Sequence, residues 1–296
     1  MNPEPAMHEI TLSLDERNLA HVLTALALAG IADSLDRLHP ESRCCWTDDG
    51  FKLFLPRTKE ELFAKAHIFV KSIAWVEGIG CNEKREIKSS PHHGLFTAKD
   101  GYCGNPFLSY HDQGITSSVF KTFSGQQSPA TPLQRQQAEN ALKPPHETSN
   151  WLFQLGFGVA SWKFDCRVAS HAYDLGFGSN EDQSGDRDPF YPVIELLSIA
   201  GAAFFAGPQA WLFDAESLGY CIWQEPVSLH LATLAATPAP PPPVKLATAG
   251  TNTSKFNKPA SLLDGIGCRY YRLATRGNAY GKGAAYRHFP EATPIN

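Results

Sequence analysis

Between Leu19 and Ala32 the chain carries a mostly apolar run of about fourteen residues without a single Asp, Glu, Lys or Arg. A bilayer-spanning helix needs about 20 such residues, so this run is too short to cross a membrane. A helix that is apolar around most of its circumference has to be enclosed by other elements. Leu19, Val22, Leu23, Leu26, Ile31 and Leu35 therefore predict a buried helix running to about Leu38, with Asp15 as its cap and Pro40 beyond its end. The rest of the chain must supply the enclosing layers. With 43% hydrophobic residues, including 18 Phe, nine Tyr and six Trp, it has the material to do so.

The neighbouring segments read as mixed helices and strands. His8 to Leu14 alternates apolar and polar residues, which predicts a half-buried strand. Trp46 to Leu55 predicts a hairpin turning at Asp49-Gly50. Thr58-Lys59-Glu60-Glu61 is a capping-box pattern that opens a helix with Leu62, Ala66, Phe69, Val70 and Ile73 on its apolar face. Residues 77–128 look like long loops. Thr131-Pro132 starts another helix, which ends before Pro144-Pro145. Val159 to Arg167 reads as a strand, Tyr191 to Phe205 as a strongly apolar helix, and Leu218–Trp223 and Val227–Leu231 as strands. Cys268–Ala274 and Ala284–Phe289 read as a closing hairpin around Arg276-Gly277-Asn278. The fold class expected is α+β, with mixed helices, antiparallel sheet and long loops.

Three regions follow: an α+β main domain over 1–236, a Pro/Thr-rich linker or mobile loop over 237–257, and a basic C-terminal hairpin segment over 258–296 that packs on the main domain. The net charge of −4 excludes a globally basic protein, but charge is distributed unevenly. From Lys255 to Arg287 seven basic residues face one acid, Asp264, whereas Asp174 to Glu216 holds eight acids and one base, Arg187. Seven cysteines, an odd number without a Cys-x-x-Cys pair, point to a reducing compartment and give no zinc motif. Met1 to Glu9 is polar and does not read as a signal peptide.

Catalytic signatures are missing from the sequence. It has no phosphate-binding Gly-x-x-x-x-Gly-Lys-Ser/Thr loop, no Gly-x-Ser-x-Gly elbow and no His-Glu-x-x-His pair. His92-His93, His111-Asp112, Asp165 and Asp174 are scattered metal-type candidates, and adjacent strand residues such as His92 and His93 would face opposite ways. Cys166 or Cys221 would need a nearby His to act as a nucleophile. No cofactor is expected.

The ingredients of nucleic-acid binding are better represented. Arg269, Arg272, Arg276, Lys282 and Arg287 are interspersed with Tyr271, Tyr280, Tyr286 and Phe289 around a Gly-rich turn. Cations neutralise phosphate, aromatic faces stack on bases, and glycines admit close backbone approach. Phe120 to Gln127 gathers Lys121, Gln126 and Gln127 beside Gly125, side chains able to contact phosphates and base edges. Lys84, Arg85 and Lys88 form a weaker cluster, diluted by Glu83 and Glu86. An ordinary solvated hairpin face, or a strand end packing Phe120 and Phe123, would account for the same residues.

Several segments together resemble a known family. Ile10 to Asp33 resembles its opening strand and helix. Phe120 to Pro129 resembles a central Lys-Thr-aromatic-x-Gly-Gln-Gln motif. Trp162 to Arg167, followed by Tyr173-Asp-Leu-Gly-Phe177, resembles an Asp-Leu-Gly-Phe segment, and Tyr191 to Leu197 the helix after it. The family is the small CRISPR-associated proteins of type I-U (I-G) systems, which are similar to large subunits of type I effector complexes. The matched order spans about 8–205. Two segments depart from it: Asn18-Leu19-Ala20 stands where an Asn-Pro-Gly-like turn is usual, and Gly281 to Arg287 replaces a Gly-Lys-Tyr-Lys pattern.

The resemblance implies a non-catalytic, cytoplasmic subunit working in antiviral defence. Its partners would be guide RNA, target DNA and the other effector-complex subunits, namely the backbone and repeat-handle-binding proteins. A helicase-nuclease would be recruited transiently, and no membrane would be involved. Such a subunit reads a short motif flanking the target, while pairing to the guide reads the target itself. Two alternatives compete. One is a metal-dependent nuclease using Asp165, Asp174 and a His; the other is a purely structural adaptor.

Overall fold

The computed structural model describes residues 6–35, 42–77, 94–98, 107–111, 130–139, 141–148, 150–157, 165, 189–202, 204, 212–214, 217–236, 264–274, 276–277, 287–288 and 292–295. In chain order these form β1 (His8–Leu12), α1 (Leu19–Leu35), β2 (Arg43–Thr47), β3 (Gly50–Leu55), α2 (Lys59–Ser72), β4 (Ile73–Glu77), β5 (Gly94–Ala98), β6 (Phe107–His111) and α3 (Ala130–Gln137). There follow β7 (Gly156–Phe157), β8 (Pro189–Phe190), α4 (Pro192–Ala202), β9 (Leu212–Asp214), β10 (Ser217–Ile222), α5 (Leu229–Ala236), β11 (Arg269–Ala274), β12 (Arg276–Gly277), β13 (Arg287–His288) and β14 (Thr293–Ile295). Short 3-10 turns occupy Pro145–Glu147, Trp151–Phe153 and Asp264–Ile266. Helices and antiparallel sheets together make an α+β fold.

Helix α1 is the centre of the molecule, with every residue from Leu19 to Ala32 buried. Its closest partner is α4, itself buried along its whole length. The two backbones nearly touch: a Cβ built on Gly201 would lie 1.8 Å from the carbonyl oxygen of Leu23. Ala20 and Thr24 on α1 and Ser198 and Gly201 on α4 are small enough to permit this approach. The cap of α1 is Asn18 rather than the expected Asp15. Its Oδ1 accepts from Ala20 N at 3.1 Å, whereas Asp15 uses its carboxylate on Arg17 N at 2.9 Å.

Strands β1, β3 and β2 form one antiparallel sheet in that order. The expected hairpin is present, but its loop is Asp48-Asp49, and Gly50 already pairs with Thr47. Gly50 has φ +118, and a Cβ there would meet Leu12 O at 2.3 Å, so both conformation and space require glycine. The Thr58–Glu61 capping box is formed as expected. Helix α2 ends at Ser72, so Ile73 is the first residue of β4, although it is buried as anticipated.

Three expectations are corrected. The stretch read as loops contains strands β5 and β6, which with β4 just before it form an antiparallel three-stranded meander. Val227–Leu231 is not a strand. Val227 makes a single bridge to Cys44, and α5 starts at Leu229 after Ser228, whose hydroxyl faces Leu231 N at 3.5 Å. Strand β11 does not close a hairpin with 284–289. It is hydrogen-bonded between β10 and β14, while the short pair β12–β13 joins Arg276–Gly277 to Arg287–His288. Asp165 sits in a bend, and most of the strand expected over 159–167 lies outside the described residues, as does the whole 237–257 segment.

The outer edge of β2 is closed by the chain after β10. Cys44 and Val227 exchange backbone hydrogen bonds, Trp46 N donates to Trp223 O at 2.8 Å, and Trp223 Nε1 donates to Cys44 O at 2.8 Å. One continuous core results, from Ile10 through α1 and α4 to Tyr270 and Tyr271. No helix among the described residues is long and apolar enough to cross a membrane.

Candidate nucleic-acid interface

Strand β11 brings the first of the expected phosphate-binding residues, Arg269, against the loop that joins β1 to α1. Its guanidinium lies 3.5 Å from Glu16 Oε1 and 3.7 Å from Asp48 Oδ1. Gln224, with its amide oxygen turned toward the arginine, accepts from Nε at 3.2 Å. Two residues on, Tyr271 donates to Glu16 Oε1 at 2.6 Å, and Tyr220 on β10 donates to the Glu16 carbonyl at 2.8 Å. The two tyrosine rings stack at 5.5 Å and 13°. Burial, followed by the Glu16 carboxylate, pushes the Tyr271 hydroxyl well above its usual range. Ala292 N donates to Arg17 O at 2.8 Å, so the last strand is anchored to the same loop.

Beside this contact runs an open groove of about 420 Å³, lined by Ser13 to Arg17 and Thr47 to Gly50. It gathers Asp15, Glu16, Asp48 and Asp49 around Arg17, whose guanidinium is held by Asp15 at 3.3 Å. The surroundings of Arg269 are therefore acidic, and its positive charge is largely matched from within the chain.

Three of the other expected contacts lie on described strands. Arg272 is paired in register with Gly219 and Thr293, and Arg276 and Arg287 take part in the β12–β13 pair. Lys84, Arg85, Lys88, Lys121, Gln126, Gln127 and Lys282 lie outside the described residues.

Between α1 and α4 lies a buried polar centre that is not among the sequence-based expectations. Asn18 Nδ2 donates to Asp165 Oδ1 at 2.8 Å, and Asp165 N donates to Glu195 Oε1 at 3.3 Å. Asp15 N donates to His21 Nδ1 at 2.8 Å, so that nitrogen keeps its lone pair and the ring is neutral, with its proton on Nε2, 3.9 Å from Asp165 Oδ2. Ser198 Oγ donates to Ile194 O at 2.7 Å, 3.0 Å from Ala20 O, and Thr24 Oγ1 donates to Ile194 O at 3.3 Å. All six of these side chains are buried. One sequence signal points to it: Glu195 is a lone acid in an otherwise apolar helix, at the first turn, where the helix dipole favours a carboxylate.

Asp165, a candidate metal ligand by sequence, is thus enclosed and hydrogen-bonded inside the core. Asp174, His92, His93 and Asp112 lie outside the described residues. Among the described residues, no group of three or more His, Cys, Asp or Glu could hold a metal ion. Cys44 and Cys221 are buried free thiols, and burial pushes both far above the usual thiol range, which keeps the Cys221 sulfur protonated and unreactive. Cys166 lies outside the described residues. Comparison of the chain with family models, with curated proteins and with solved structures returned no match.

Proposed function

We propose that this chain is a non-catalytic, large-type subunit of a type I CRISPR RNA-guided effector complex. It would act in the cytoplasm in antiviral defence, binding the DNA flanking the target, the end of the guide RNA, or both. The observation that carries this reading is the meeting of the segments on which the resemblance rests. The opening strand and helix, the Trp162–Arg167 segment and the Tyr191–Leu197 helix are far apart in sequence. Through Asn18, Asp165 and Glu195 they share one buried hydrogen-bonded network. One residue from each of these three segments thus meets the others at a single buried centre, while the Phe120–Gln127 motif and Tyr173–Phe177 lie outside the described residues. The enclosure of Asp165 weighs against the nuclease alternative, because a carboxylate sealed in the core cannot present a metal to a phosphodiester.

A structural adaptor is the second reading. It is favoured by Arg269, whose guanidinium is already engaged by Glu16, Asp48 and Gln224. The experiment that separates the two is co-expression with the neighbouring gene products and a guide RNA, followed by binding to a library randomised beside the target. A flanking-motif reader enters the RNA-containing complex, and Gln126→Ala with Gln127→Ala keeps assembly but flattens the flanking preference, each bidentate pair with a base being worth about 1–3 kcal/mol. An adaptor assembles and leaves the flanking profile unchanged in every variant. A chain that joins no guide-RNA-containing assembly overturns the proposal.

A further inference from the structure

His67 stands on α2 where the 3-10 turns Pro145–Glu147 and Trp151–Phe153 pack against that helix. Its ring lies edge-on to Trp151, with centroids 6.1 Å apart, and one turn earlier Phe63 packs on the same indole at 5.1 Å. Trp151 is 1% exposed, and its Nε1 donates to Lys143 O at 3.1 Å, which ties the segment to its own indole anchor. The Nδ1 of His67 is buried and has no hydrogen-bond partner among the described residues. The ionisable groups around the ring are Lys71, one turn further along α2, and His146 and Glu147 on the 3-10 turn opposite. His146 is 80% exposed on its side chain and lies 3.7 Å from Glu147, so that acid is shared between two imidazoles.

This site tolerates a neutral ring and resists an imidazolium. Protonation would place an N–H at Nδ1 where none of the described residues offers an acceptor, and an unsatisfied buried donor is costly. It would also set a new positive charge between Lys71 and His146, with Glu147 alone to offset them. Burial first, then Lys71 and His146, accordingly hold this histidine below its ordinary range.

We propose that His67 is an acid-sensitive latch: neutral, it seats these two turns on α2, and on protonation it loosens them. The sign follows from linkage. The loosened segment takes up the proton more readily than the seated one. Docking is therefore complete above the ordinary histidine value of 6.5 and weakens as pH falls below it. The effect is bounded. At pH 5.5 a freely exposed imidazole is about tenfold more protonated than neutral, so loosening cannot grow by more than about that factor.

The test is amide hydrogen exchange of the full chain between pH 7.5 and 5.5, corrected for intrinsic exchange, read on peptides covering 141–154. Protection there should fall several-fold toward pH 5.5, while peptides from α1 and α4 hold theirs. His67→Gln, neutral at every pH, should keep protection flat. Lys71→Gln removes a charge that disfavours the seated imidazolium, so its loss of protection at pH 5.5 should be smaller than in the unaltered chain; an undiminished loss overturns the latch, and this variant decides the matter if His67→Gln fails to fold. Flat protection in the unaltered chain overturns the latch. So does an equal loss in His67→Gln.

Discussion

The hydroxyl of Tyr271 lies 2.6 Å from Oε1 of Glu16, joining the middle of a C-terminal strand to the loop that leads into the central helix. The bond spans 255 residues of sequence and is reinforced by Tyr220 on the same glutamate's carbonyl. Tyr271→Phe removes a hydrogen bond to a carboxylate and should cost about 1.5–3 kcal/mol, read as a lower thermal midpoint. The raised Tyr271 value adds a pH signature. A folded-state value above the unfolded one gives stability that is present below about pH 10 and is lost as pH rises beyond it. The alkaline fall in midpoint should therefore be shallower in Tyr271→Phe.

Gly201→Ala should be among the most damaging single-methyl additions to this chain. The new Cβ would fall 1.8 Å from Leu23 O, a backbone atom that moves only if α1 moves. A loss of about 1–3 kcal/mol or more is expected from overpacking of this kind, measured by denaturant unfolding. Gly265→Ala is the control: a Cβ there meets nothing within 4 Å, and its midpoint should hardly change.

Asp165→Ala distinguishes structure from catalysis. In the arrangement described, it strands the Asn18 amide in the core and should cost about 1–3 kcal/mol, with no metal-dependent cleavage to lose. A variant that folds normally yet abolishes Mg²⁺- or Mn²⁺-dependent cleavage of DNA or RNA would instead establish the nuclease reading.

Replacing Arg272, Arg276 and Arg287 with Ala should lower the salt slope of DNA binding by the assembled complex, by roughly one unit for each phosphate that is no longer neutralised. Arg269→Ala should change the slope less, because its charge is already matched by Glu16 and Asp48. An unchanged slope in the triple variant would mean that these strands touch no phosphate.

Only local features are legible in the sequence. The Thr58–Glu61 cap depends on four consecutive residues, and the burial of α1 on its own composition, so both can be read directly. Asn18 rather than Asp15 caps α1, and the amide nitrogen of that cap is held by Asp165, 147 residues away, a partner no local pattern announces. The β4–β6 meander is rich in Gly, His and Lys near its connections and looks like loop until its strands pair. Ser228 is an ordinary N-cap, masked because Val227 before it reads as strand. Strand β11 reads as pairing with its neighbour in sequence, yet its partner β10 lies across the Pro-rich stretch. The polar centre is hidden for the same reason: Asn18, His21, Asp165 and Glu195 become a cluster only through tertiary packing.

The closure of β2 by residues 223–227 has a consequence for biosynthesis. Strands β1 to β3 and helix α1 can assemble soon after they leave the ribosome, but the hydrogen-bonding edge at Cys44 and Trp46 waits for Trp223 and Val227. At about 5–20 residues per second, the nascent chain carries that raw edge for roughly ten to thirty seconds. An unpaired strand edge is a template for intermolecular pairing. Truncations ending before Trp223 should therefore be recovered mainly as insoluble material or bound to chaperones, even though they contain the whole of the first sheet.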